Sequence, residues 1–433
     1  MKIFIVSMGC PKNTADSEHL SALLKAAGHE VVDETGNASA VIINTCGFIL
    51  DAVKENLDAI IDLEDLKASG KIEKLIVLGC LVNRYEKDLR EEFPSVDLFV
   101  RSEQWEKIID FLGGTFNSNC RAVSPALDKK FWTRYLKISE GCNTLCSYCA
   151  IPSIRGRLRS VPLKTLIDEA MMLCAAGAKE LCLVGQDLTV YGSDFNDGTS
   201  LRTLISELDR ELPKGTWLRL FYLHPNRVTE ELIDFLMSRE KVLRYLDIPI
   251  QHVDPEILSR MNRPCPEGHM MKIFRYIRSL DELFTLRTTI MTGFPGETRK
   301  KFEKVLDFMR EIEFDRVGAF VYSPEEGTRA ATLDKKVSEK TAKERCSEIL
   351  ALQNGEIAYY RSELFEGREL DVLIESIDSE EGLAYGRSFR DAPEVDGVVV
   401  VEGFDAKNLK PGDMVRVKVA EGIENDLYGK VID

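Results

Sequence analysis

No apolar run in this 433-residue chain is long enough to cross a bilayer. The opening Met1-Lys-Ile-Phe-Ile-Val-Ser-Met8 has only a short apolar stretch before Gly9-Cys10-Pro11, too short for the core of a secretory signal. These absences point to the cytoplasm and exclude a membrane partner. In that reducing compartment disulfides do not persist, so the eleven cysteines read as metal ligands plus buried apolar filler. Low-complexity tracts and solenoid repeats are lacking as well. So is any excess of positive charge, since 57 Lys and Arg face 72 Asp and Glu for a net of −15. That balance disfavours nucleic acid unless a local basic face supplies the contacts, and a basic protein is the natural alternative partner. What remains is a chain 44% apolar, with ordinary glycine and proline content. Its length suits about three globular domains with ample core.

The most informative segment is Gly141-Cys142-Asn-Thr-Leu-Cys146-Ser-Tyr148-Cys149. Three thiolates spaced C-x3-C-x2-C can each take one corner of a cubic iron–sulfur cluster, leaving the fourth iron open to a substrate or cofactor. A structural zinc site wants four ligands, and no histidine lies near enough in sequence to complete one. Three closely spaced cysteines cannot all pair as disulfides. The count of three therefore points to chemistry at an open iron.

Residues 1–116 alternate strand and helix. Lys2–Val6, Ala40–Asn44 and Lys74–Leu78 are short β-branched runs suited to buried parallel strands. Thr14–Ala27 and Phe48–Ile61 read as the helices between them, giving a βαβαβ sandwich. Each strand ends near a cysteine: Met8-Gly9-Cys10, Asn44-Thr45-Cys46 and Leu78-Gly79-Cys80. Ligands of open parallel sheets bind beyond the carboxyl ends of the strands, so these distant cysteines are expected to converge as a second trio. Singly, each reads as a small buried apolar residue.

A polar linker is expected from Gly113 to Lys130. Residues 131–355 alternate again, with strands at Trp132–Ile138, Glu180–Val184, Trp217–Phe221, Tyr245–Ile250, Phe284–Met291 and Arg316–Tyr322. Pro162–Ala176, Thr229–Ser238 and Thr298–Glu311 are among the amphipathic helices separating them. Six such repeats predict a partial or complete parallel barrel with its active residues at the strand C-terminal ends, where Cys142–Cys149 falls. Residues 363–433 change character: five short strands, Leu370–Ile377, Gly382–Ser388, Gly397–Val401, Asp413–Val419 and Leu427–Ile432, predict a small all-β, OB-like barrel. The chain as a whole reads as an α/β protein with this β-barrel appended.

With both trios on the page, the chain resembles the radical S-adenosylmethionine (SAM) methylthiotransferases. The C-x3-C-x2-C motif on a βα barrel, the trio Cys10, Cys46 and Cys80, and a C-terminal barrel similar to a TRAM domain together span essentially the whole chain. The resemblance implies two [4Fe–4S] clusters, one on Cys142, Cys146 and Cys149 and one on Cys10, Cys46 and Cys80. It implies SAM bound at the open iron of the first and cleaved by one electron from an external reductant, giving a 5′-deoxyadenosyl radical. The second cluster would hold the transferred sulfur. In the same pattern Tyr148 would lie against the adenine, though a simple core aromatic is an equal reading. Gln186, in Gly185-Gln186-Asp187, would meet the SAM amino group, against a turn-forming role. Gly293 and Gly296 would let the backbone approach the ribose or methionine part. The loop Tyr322-Ser-Pro-Glu-Glu-Gly-Thr-Arg329 looks like the family's signature after the last strand, against an ordinary helix-leading loop.

Arg155, Arg157 and Arg159 follow the cluster loop; they read as a solvated face or as an arginine gripping a substrate carboxylate. His224 and His252 sit near strand ends without an assigned role. Cys174 and Cys182 read as core, while Cys120, Cys265 and Cys346 are unassigned.

The family's branches modify either the β-carbon of an aspartate in small-subunit ribosomal protein twelve or adenosines in tRNA. Residues 365–433 hold seventeen Asp and Glu against eight Lys and Arg, a net of −9. A tRNA-gripping barrel should be basic. Glu375, Asp378, Glu380, Glu381, Asp391, Glu394 and Asp396 instead suit a strongly basic ribosomal protein, although acidic excess can serve solubility alone. The protein substrate is favoured over tRNA on this ground. A two-cluster electron carrier is the non-enzymatic alternative, and it requires fully ligated clusters.

Overall fold

Ala40–Thr45 is buried at every position and forms the middle of a five-stranded parallel sheet. In this computed structural model, which describes residues 1–102, 104–116, 131–403 and 409–432, the sheet order is 30–32, 2–7, 40–45, 74–79, 98–100. The three inner strands were expected. The outer pair, Glu30–Val32 and Leu98–Val100, are three residues each and carry too little pattern to be read locally. The inner strands finish in register, Ser7 against Asn44 and Thr45 against Gly79, so the loops that follow leave from one edge. The first helix runs Pro11–Ala26 rather than from Thr14. Proline at its first turn costs no hydrogen bond there, and Cys10 becomes the residue that caps it. The second helix, Leu50–Ala68, runs a turn or more beyond the expected end.

The central sheet has six parallel strands in chain order, Thr133–Lys137, Glu180–Val184, Trp217–Leu220, Val242–Asp247, Thr285–Thr292 and Arg316–Val321. It stays open, a partial barrel. The fourth strand ends three residues earlier than expected, because the chain turns through Pro249 to Gln251, whose φ is +66°. Helices Leu163–Ala175, Glu230–Met237 and Arg299–Ile312 cover the outside, burying a large aliphatic core. The last five strands, 369–378, 383–387, 399–402, 426–431 and 414–423 in spatial order, close into the small barrel. Residues 117–130, which hold most of the expected linker and Cys120, lie outside the described residues.

The small barrel docks on the central sheet through buried charge. Glu180 accepts from Arg219 Nε at 2.6 Å and from Arg387 Nη2 at 2.8 Å. Arg316 Nη2 donates to Asp391 at 2.7 Å, and the Tyr245 hydroxyl donates to Asp396 at 2.7 Å. Thr133, Glu180 and Arg316 open their strands and Thr133 accepts from Arg387, so the barrel meets the end of the sheet remote from the cysteines. This corrects the electrostatic reading. Three of its seven acids are turned inward: Asp391 and Asp396 into these pairs, and Glu375 onto Arg387 at 2.8 Å. Glu380, Glu381 and Glu394 remain exposed.

Candidate active site

Cys10, Cys46 and Cys80 come together because their loops leave one sheet edge in register and glycines let them close. Gly9 has φ +92°, and a Cβ there would stand 2.6 Å from the Cys46 Cβ. Gly79, at φ +108°, would carry a Cβ 2.5 Å from the Thr45 carbonyl oxygen. No residue but glycine fits either place. The Cys46 amide is fixed by Asn56 Oδ1 at 2.9 Å, and Asn13 Nδ2 donates to the Met8 and Thr45 carbonyls.

The second trio is pinned from outside its own loop. Ser147 N–H donates to the Met261 carbonyl at 2.9 Å and its hydroxyl to the Arg260 carbonyl at 2.8 Å. Ala330, directly after the Tyr322–Arg329 segment, donates its N–H to the Ser147 carbonyl at 2.7 Å. Asn262 Nδ2 donates to the Leu145 carbonyl. Arg263 Nη1 donates to Cys146 Sγ at 3.6 Å.

Both trios open onto one cavity of about 370 Å³, which Tyr148, Gln186, Tyr222, His224, Gln251 and Arg263 also line. Among the described residues no group of three His, Cys, Asp or Glu converges tightly enough to hold a single metal ion. A cubic cluster has a different requirement, since each thiolate takes its own iron. Three buried polar atoms on the cavity wall, Gln186 Oε1, Gln251 Oε1 and His224 Nε2, have no partner within the protein. Unpaired buried polar atoms are costly, and a polar ligand such as SAM would satisfy them. The residues therefore fit both groups.

The electrostatics differ from thiol to thiol. Burial raises Cys10, but Lys12, the backbone around Asn13 and Arg155 overcome it and leave this thiol below its ordinary pKa. Burial pushes Cys46 up to about 11 and Cys149 to about 12, and it raises Cys80 against the pull of Arg155. His224 is driven down to about 2 by burial and by Arg263 and Arg227, so it is neutral.

Of the expected cofactor contacts, Tyr148 and Gln186 lie on the cavity wall. Tyr148 also packs edge-on against Phe294 at 6.4 Å, and Gln186 Nε2 donates to Glu140 at 3.1 Å. Gly293 and Gly296 do not line this cavity. A Cβ at Gly293 would stand 2.3 Å from the Ala342 Cβ, and one at Gly296 would crowd Arg260 at 3.0 Å, so local packing by itself requires a glycine at Gly293 and favours one at Gly296. His252 is structural, accepting at Nδ1 from the Val253 and Asp254 amides. Sequence reasoning missed Lys12, Tyr222, Gln251 and Arg263. Tyr222 and Gln251 follow strand ends and have positive φ, a signal that position on the barrel could have supplied.

Arg155 is not free to grip a substrate. It donates from Nε to Cys80 Sγ at 2.9 Å, from Nη1 to Asp16 and Glu140 at 3.0 and 2.9 Å, and from Nη2 to Asn13 at 2.7 Å. Arg157 and Arg159 are exposed. Arg155 thus fastens the first helix to the loop that precedes Cys142, and Lys137 joins the same network through Asp16 and Glu140. Removing one member of a buried charge network costs about 3–5 kcal/mol. Arg155→Met is therefore expected to lower stability by that order in chemical denaturation and to reduce iron bound per chain. Wild-type stability with full iron loading would refute the clamp.

Comparison with known proteins agrees with this architecture. Residues 2–101 match the model of the uncharacterized protein family UPF0004, residues 136–309 the radical SAM superfamily and residues 367–432 the TRAM domain. The ribosomal protein uS12 methylthiotransferase RimO of Natranaerobius thermophilus is 38% identical, over 100% of this chain and 99% of that protein. Its namesake in Aquifex aeolicus is 41% identical over 99% and 97%. The radical SAM methyltransferase TsrM from Kitasatospora setae superposes with a TM-score of 0.54 at 14% identity, covering 74% of this chain and 72% of TsrM, a likeness of fold. Full-length identity at this level, together with two cysteine trios on one cavity, places the chain in the radical SAM methylthiotransferase family.

Proposed function

We propose that this enzyme transfers a methylthio group to the β-carbon of an aspartate in ribosomal protein uS12, working in the cytoplasm with an external reductant. The observation that carries the reading is that both cysteine trios line a single cavity. A carbon held there lies between the two centres. As a radical SAM methylthiotransferase the chain uses SAM and [4Fe–4S] clusters. When bound, these groups supply a carbon-centred radical able to take hydrogen from an unactivated carbon, together with the sulfur to be inserted.

The chain's own residues prepare the place. Cys142, Cys146 and Cys149 would hold one cluster, and Cys10, Cys46 and Cys80 the other. Gln186 and Tyr148 are positioned to orient SAM, with the unpaired Gln186 Oε1 as the acceptor for its amino group. Phe48, Ile151, Leu223 and Pro249 give the same cavity an apolar wall. Relatives named for uS12 support the substrate, as do the barrel acids that stay exposed, Glu380, Glu381 and Glu394, which favour a basic protein.

The test offers the reconstituted enzyme uS12 and tRNA in parallel, with SAM and reductant, and weighs both products by mass spectrometry. A methylthio mass gain on uS12 is the expected result. A gain on tRNA alone would overturn the substrate. If SAM leaves the cluster spectrum unchanged and no 5′-deoxyadenosine appears, the radical reading is wrong.

A further inference from the structure

Lys12 is a cation without an answering carboxylate. It stands two residues after Cys10, in the first turn of the helix Pro11–Ala26, and it lines the cavity shared by the two trios. Its ammonium lies 4.2 Å from the centroid of the Tyr222 ring, which the central sheet contributes from across the domain boundary. A ring face attracts a cation but does not neutralise it.

The other charged side chains on the cavity wall each hold a hydrogen-bond partner within the protein. Arg155 is used by Cys80, Asp16, Glu140 and Asn13. Arg263 has no carboxylate partner either, and its Nε is unpaired, but Nη1 donates to Cys146 and Nη2 to the Pro249 carbonyl, which ties it to the Cys142 trio. On the acidic side Glu140 holds Lys137 and Arg155, and Asp187 holds Arg227. Among the described residues Lys12 makes no ion pair with a carboxylate, although its charge acts on the neighbouring Cys10 thiol. A partly desolvated ammonium at the mouth of two centres is a receptor for an anion of the substrate.

We propose that the Lys12 ammonium receives the side-chain carboxylate of the substrate aspartate and so sets its β-carbon between the two trios. The inference rests on the uS12 reading above and deepens it. The carbon attacked is one bond from that carboxylate, so one ionic contact fixes its position. An adenosine offers no carboxylate, which makes Lys12 a residue that separates an acidic side chain from a nucleobase. Lys12 acts by positioning and exchanges no proton or electron with the substrate.

The experiment uses the reconstituted holoenzyme and two forms of uS12, the natural one and one carrying asparagine at the modified position. Binding is measured by competition without reductant, and KM and kcat with it. Wild type should prefer the aspartate form by about ten- to a hundredfold in KM, the range of a hydrogen bond to a charged group. Lys12→Gln should raise KM for the aspartate form by a similar factor, leave the asparagine form little changed, and so erase the preference. Lys12→Arg should restore part of it.

An unchanged preference in Lys12→Gln would overturn the inference, and so would an equal loss on both forms, which would mean that Lys12 serves the neighbouring thiolates. Should Lys12→Gln bind less iron, Lys12→Arg decides: a displaced charge shifts KM for the aspartate form alone, and equal shifts on both forms reject the proposal. If wild type neither binds nor modifies the aspartate form, it is the uS12 reading that fails.

Discussion

Cys142→Ala is expected to abolish SAM cleavage and product formation together, whereas Cys46→Ala should keep cleavage and lose only the thiolated product. The asymmetry follows from where the two cysteines sit. Cys142 belongs to the trio whose loop is held by Ser147, Asn262 and Arg263, on the wall with Tyr148 and Gln186. Cys46 belongs to the trio built on the N-terminal sheet, where Asn56 and the neighbouring Gly9 fix it. Each variant should lose about four irons per chain, one cluster's worth, but from different centres. Iron analysis with Mössbauer spectra separates the two losses. Cys346→Ala serves as control, because Cys346 is a half-exposed residue on the helix Glu339–Leu352. Losses of the same iron with the same loss of cleavage in both variants would sink the assignment of two separate centres.

The second large effect is expected far from the cysteines. Glu180 is fully buried and is the shared partner of Arg219 and Arg387, the latter from the C-terminal barrel. Glu180→Ala leaves two guanidinium groups buried without a counterion, at a cost of about 3–5 kcal/mol or more. It should also loosen the barrel selectively, so that hydrogen exchange in residues 369–431 accelerates before that of the central sheet. A variant in which Glu180, Arg219 and Arg387 are all replaced by Met should recover much of the loss, since the penalty lies in the unpaired charge. Wild-type exchange in Glu180→Ala would show that the pairs do not hold the barrel.

The same pairs give an acid limit. Burial pushes the Glu180 carboxyl up, but Arg387 and Arg219 outweigh it and hold the group at about 2, against an ordinary value of 4.5. A carboxyl depressed by folding stabilises the native state above its unfolded pKa, and that contribution is lost as pH falls through the folded value. Asp315, lowered to about 2 by Arg278, Arg361 and Arg390 against its burial, adds to the effect. Stability should therefore decline from about pH 4.5 toward pH 2. Glu180→Ala should remove part of that decline, and an unaltered acid profile would contradict the assignment.

The motif at Cys142, the three buried strands of the N-terminal sheet and the five strands of the small barrel were legible because each rests on local pattern. β-Branched runs of strand length announce themselves without neighbours. The convergence of Cys10, Cys46 and Cys80 was also inferable, since parallel strands of similar length must end at one edge. The acidic segment 375–396 was legible only as a charge count. Charge counts along the chain do not say which side of a loop faces a neighbour, and Asp391 and Asp396 turn toward Arg316 and Tyr245. At Gly293 and Gly296 the crowding by Ala342 and Arg260 was not legible either, because it comes from residues distant in sequence.

By itself, then, the amino-acid sequence determined the element types, the two cysteine trios and the chemistry that three thiolates permit. Tertiary structure alone decided that the trios share one cavity, that Arg155 is spent as a clamp, and that Lys12 is left facing the cavity without a carboxylate. The physical reason is that a side chain's availability depends on the charges and surfaces packed around it, and these come from strands and helices more than a hundred residues away.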